Sequence, residues 1–85
     1  LQENAEVFMS NILYCVVCRV RSGGRTYERD VFYSVFADKA IEKAADFACS
    51  HPGRTYVLEK RNVMTQVSVV LDTYCVTAPD GGEAD

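Results

Sequence analysis

No apolar run in this chain of 85 residues approaches the roughly 20 that a membrane-spanning helix needs. The longest, such as Leu13–Cys18, stops far short of it. No basic region followed by an apolar one marks a secretory signal at the start, so a soluble, cytoplasmic protein is expected. Internal repeats and low-complexity stretches are absent, which leaves solenoids and arrays without support. Histidine occurs once, at position 51, and this strips the chain of most arrangements for general acid-base or metal chemistry. A single domain is expected at this length, one whose core must be efficient because a chain of this size buries only about 60 to 65% of the surface its unfolded form exposes.

What is present is ordinary globular material. Hydrophobic residues make up 48% and charged residues 25%, values that exclude wholesale disorder. The net charge of -3 is unevenly spread. All nine basic residues lie between Arg19 and Arg61 together with six acids, so the middle of the chain is mildly basic and both ends are acidic. A dedicated nucleic-acid-binding domain usually carries a much larger basic excess.

From Ile12 to Arg21 the residues are mainly β-branched, aromatic or cysteine, and Ser22-Gly23-Gly24 ends the run, the pattern of a strand entering a turn. Thr26 to Phe36 again favours extended structure, so the two segments predict an antiparallel hairpin about "SGGR". Asp38 then opens an amphipathic helix as N-cap or first-turn acid. Ala37, Ala40, Ile41, Ala44, Ala45 and Ala48 recur at helical spacing, and "HPG" stops the helix. Arg54 to Lys60 reads as a third strand, "KRN" as a polar link, and Met64 to Val76 as a long fourth strand whose core face carries Val67, Val69, Leu71, Thr73 and Cys75. The expected fold is a two-layer α+β domain of order ββαββ, a four-stranded antiparallel sheet with one helix packed on one face. It spans residues 12–77, after an N-terminal segment 1–11 and before a flexible acidic tail 78–85.

Cys15, Cys18, Cys49, Cys75 and His51 are the only soft metal ligands. The pair Cys15-Val-Val-Cys18 has zinc-like spacing but lies within a strand, where residues three apart point to opposite faces. A redox pair would open a helix, where the dipole lowers a thiol pKa, and this one precedes a Gly-Gly turn. The cysteines therefore read as small buried hydrophobes, with no metal, no cofactor and no disulfide framework expected. "SGGR" is followed by no strand-to-helix passage, so it is not a phosphate loop. No acid-base pair with assignable roles is specified, and the chain is expected not to be an enzyme.

Two features rise above this background. Arg19, Arg21, Arg25, Arg29 and Arg54 are interleaved with Tyr27, Tyr33 and Tyr56, and arginine and tyrosine are the side chains most often found as interface anchors. They can equally hold phosphates and stack bases, which, with Lys60 and Arg61, makes a nucleic-acid-binding module the alternative reading. The second feature is the first strand, apolar on both sides. One helix covers one side; the other, with Phe32, Phe36, Val70, Tyr74 and Val76 expected to add to it, needs a cover. Candidates are the segment with Val7, Phe8 and Met9, a second copy in a homodimer, or a protein partner.

The order of elements, the helix reached through "VFADKAIEKAADFA", the small size and the acidic tail together resemble small phage-encoded proteins of the anti-CRISPR and host-defence-inhibitor type. The resemblance covers Ile12 to about Val76 and is one of architecture, so it carries no site residue across. It implies a non-enzymatic protein of the host cytoplasm that occupies a surface of a larger host complex. Nucleic-acid mimics of that type are strongly acidic, whereas the middle of this chain is basic.

Overall fold

The computed structural model describes residues 11–77. Among them are β1 (Ile12–Ser22), β2 (Arg25–Ser34), α1 (Ala37–Ser50), β3 (Thr55–Asn62) and β4 (Ser68–Cys75). The strands form one four-stranded sheet of order β2-β1-β3-β4 with every neighbouring pair antiparallel, and α1 packs on one face. This is the expected α+β ββαββ arrangement. The candidate cover segment with Val7, Phe8 and Met9 and the expected acidic tail 78–85 lie outside the described residues.

The β1–β2 hairpin closes through Gly23 and Gly24 at φ +61° and +81°. Two consecutive positive φ values are what a two-residue turn between right-twisted strands demands, and glycine meets them without a side-chain clash. The β3–β4 turn works differently. Asn62 Oδ1 accepts hydrogen bonds from the Met64 and Thr65 amides (2.9 and 3.0 Å), and the Asn62 amide donates to the Val67 carbonyl (2.9 Å). "KRN" is therefore no link: β3 runs on to Asn62, and Asn62 itself builds the turn. Residues 64–67, expected to begin the last strand, belong with Val63 to that turn.

Ala40, Ala44 and Ala48 face the sheet and are buried, meeting Val16 and Cys18 of β1 and Tyr56 and Leu58 of β3. Small residues on the helix let its backbone approach closely, so larger side chains from the sheet fill the space between. Phe47 extends the contact by stacking on Tyr56 at 5.4 Å between centroids. Asp38 lies in the first turn and accepts from the Lys39 amide. Phe36 is the N-cap residue and provides no side-chain bond.

The helix crosses the sheet diagonally, as the topology requires. It begins beside Ser34 at the β2 edge and ends ahead of Thr55, and the Gly53 amide donates to the Val76 carbonyl (2.7 Å). Two opposite corners of the same face are left without a helix above them.

The registers correct several expected placements. Phe32 pairs with Val16 and Tyr74 with Tyr56, which puts both aromatics in the helix-side core and not on the second face. Lys43 of the helix lies 5.8 Å above the Phe32 ring. Phe36 has left the strand altogether and is exposed ahead of the helix. Val70, opposite Glu59, does lie on the second face, and it is exposed. The expected core face of the last strand, Val67, Val69, Leu71, Thr73 and Cys75, is exposed, with Val67 in the turn ahead of β4, and Tyr74 is the residue that packs inward. Val67 and Val69 keep the helix side and are exposed because α1 does not reach that corner; for Phe32, Thr73, Tyr74 and Cys75 the physical cause is a bulge in each edge strand. Val31 in β2 and Leu71 in β4 have no partner in the register, so each strand's alternation changes phase there.

Candidate binding surfaces

The two cysteines of β1 point apart. Cys18 belongs to the helix-side core, while Cys15 lies on the second face, and both are buried. Burial pushes the Cys15 thiol above its ordinary pKa of 9.0, with the nearby Arg61 charge opposing the shift. Among the described residues no three His, Cys, Asp or Glu side chains are grouped as metal ligands would be.

Part of the cover over the second face is electrostatic. Arg61 of β3 donates from Nη1 to Asp30 Oδ2 of β2 (3.0 Å), from Nη2 to Glu59 Oε1 (2.9 Å), and from Nε to Ser68 Oγ of β4 (3.3 Å). β1 lies between β2 and β3, so the guanidinium must cross β1 to reach Asp30. The residue of β1 between the Leu13–Arg61 and Val17–Asp30 pairs on this face is Cys15, which the clamp roofs. One arginine thus bonds to three strands above a buried thiol on the fourth. The sequence carried a signal for this: Glu59 and Arg61, two apart in a strand, share the face that β1 makes apolar.

The Arg/Tyr set does not form one patch; the sheet divides it. On the second face Arg19 is held by Glu28 (Nε to Oε2, 2.7 Å), Arg21 lies beyond it opposite Thr26, and Tyr33 is exposed at the other end opposite Cys15. Tyr56 belongs to the core at 2% exposure and cannot anchor a partner; burial raises its phenol pKa, with the nearby Arg54 charge opposing the shift. Arg61 and its clamp are likewise engaged.

The remainder gather at the helix-free corner beside the hairpin. Cys18, Val20, Tyr27, Glu28, Arg29 and Arg54 line an open concavity of about 320 Å³ there, and Arg25 stands next to it at the turn. Arg29 reaches this corner because it pairs with Cys18, and Arg54 because the chain leaving α1 enters β3 at the same end. Neither arginine has a carboxylate partner among the described residues. The diagonally opposite corner is apolar, with Ile12, Val67, Val69 and Leu71 beside Lys60, Asn62 and Thr65. Sequence reasoning gave these valines to the core and so missed this surface.

No helix among the described residues is long and apolar enough to cross a membrane. No protein-family model, curated protein or solved structure matches the chain.

Proposed function

We propose that this chain is a non-catalytic binding protein that occupies a surface of a larger partner through its hairpin corner, inhibiting or adapting that partner. One observation carries the reading: Arg29 and Arg54, both without a carboxylate partner among the described residues, line one concavity with Tyr27. Guanidinium groups form bidentate bonds with carboxylates, and tyrosine adds rigid contact area at little entropic cost, so the partner presents acidic side chains beside an apolar rim. A host-defence complex is the class of partner that the architectural resemblance supplies.

A nucleic-acid reading would use the same corner, but two of its basic residues are engaged, Arg19 with Glu28 and Arg61 in the clamp. The test has two arms. The chain and its Arg29→Glu/Arg54→Glu variant are immobilised side by side against lysate of the source cell, and the reading requires a protein recovered by the first and lost at least about tenfold by the second. Labelled single- and double-stranded oligonucleotides are titrated at low salt. Binding that falls steeply with added salt and depends on the same arginines would replace the protein-partner reading with the nucleic-acid one.

A further inference from the structure

The two edges of the sheet are unlike. β2 places Arg25, Glu28, Arg29 and Asp30 along its length, the charge pattern that keeps a free edge from pairing with other chains. β4 has one charged residue, Asp72, and seven of its eight residues are exposed. Only Tyr74 is packed inward, so β4 has little side-chain burial to hold it.

On the helix side of this edge Val67, Val69 and Leu71 are 60%, 55% and 48% exposed and line a groove of about 520 Å³. Ile41 of the helix is exposed on the flank opposite Lys43, which by helical spacing is the flank toward this groove. Val63 and Met64 in the turn and Val70 on the other face carry the exposed apolar surface around the same edge. Together these side chains expose on the order of 500 Å² of apolar area, a size at which the largest patch on a monomer is often an interaction site.

We infer that β4 and its turn are where two copies of this chain meet, edge to edge about a two-fold axis. Two such patches apposed would bury up to about 1,000 Å², the lower limit for a specific interface between chains, so the dimer is expected to be weak and concentration-dependent. The patch border carries one charge of each sign, Lys60 and Asp72, and neither is in an ion pair among the described residues. A self-contact therefore brings no net like-charge repulsion, and each lysine can find the other copy's aspartate. The bulge at Leu71 interrupts the outer edge, so the row of valine and leucine side chains makes the contact in place of a continuous ladder.

Sedimentation equilibrium of the whole chain from about 1 to 100 µM tests this. The expected mass rises toward twice 9.5 kDa with concentration, and Val69→Glu/Leu71→Glu raises the dissociation constant at least about 100-fold. Hydrogen exchange on the unaltered chain guards against a variant that merely misfolds: amides of β4 must slow with concentration while those of the hairpin turn do not. Three outcomes overturn the inference. They are a single-chain mass at about 100 µM, a dimer that survives both glutamates in a folded variant, and concentration-dependent protection confined to another strand. Arg29→Glu/Arg54→Glu leaves the mass unchanged, so loss of partner capture and loss of the dimer are read separately.

Discussion

Replacing Arg61 by methionine should destabilise the fold by about 2 to 3 kcal/mol, more than either of its acidic partners is worth alone. Methionine keeps the apolar stem that lies over β1 and removes only the guanidinium. Glu59 is then left with 17% of its side chain exposed and no counter-charge, whereas Asp30, 43% exposed, regains water. Exposed pairs contribute about 0.2 to 1 kcal/mol, while stranding a fully buried charge costs about 3 to 5. Glu59 lies between these limits, which puts its share near 2 kcal/mol, and Asp30 belongs at the lower one, near 0.5. Asp30→Asn should therefore cost about 0.5 kcal/mol. Glu59→Gln combined with Arg61→Met should cost less than the two changes summed, because the stranded charge is gone. Urea unfolding followed by circular dichroism measures the parent and the four variants, Glu59→Gln alone among them. In thermal unfolding of a domain of this size the Arg61→Met change corresponds to a Tm lower by about 10 to 20 °C. Arg61→Met within about 0.5 kcal/mol of the parent, or Asp30→Asn costing more than it, would show that the clamp is not what seals the second face.

Two further outcomes follow from the core and from its titrating groups. Ala44→Leu inserts a larger side chain where the helix has no clearance, Ala44 being fully buried against the sheet, and should cost about 1 to 3 kcal/mol in the same urea assay. Ala45→Leu, one residue round the helix and only half-buried, should cost much less. Stability should also fall on the alkaline side. Burial raises the pKa of Cys15 above 9.0 and of Tyr56 and Tyr74 above 10.0, so the unfolded chain loses these protons first. Their contribution is complete below about pH 9 and is lost as pH climbs through the raised values. A urea midpoint that stays flat from about pH 8 to 11 would count against buried, neutral thiol and phenol groups.

The order of elements, the hairpin about Gly23–Gly24, the helix and its stop at His51-Pro52-Gly53, and the opposed faces of Cys15 and Cys18 were legible from the chain alone. Each rests on local chemistry: period-two or 3.6 spacing, a positive φ that glycine accepts, a proline that cannot continue a helix. Which face each outer strand turns inward was not legible. Phe32, Thr73, Tyr74 and Cys75 fall on unexpected faces because an unpaired Val31 and an unpaired Leu71 change the alternation midway, and a bulge depends on the neighbouring strand's register, whereas Val69 keeps its face and is exposed because the helix does not reach over it. The Arg/Tyr set looked like one surface because sequence proximity hides the sheet that divides it. Arg61 looked like a free cation because its partners include Asp30, 31 positions away.

By itself, then, the sequence determined the secondary structure and the two-layer class, since those follow from interactions within a few residues along the chain. Tertiary structure decided the surfaces. The diagonal path of α1 opens an arginine-tyrosine corner and an apolar corner on one face, and the strand order β2-β1-β3-β4 lets a single arginine reach over Cys15 on the other. Both depend on which distant segments lie side by side, and no local spacing encodes that.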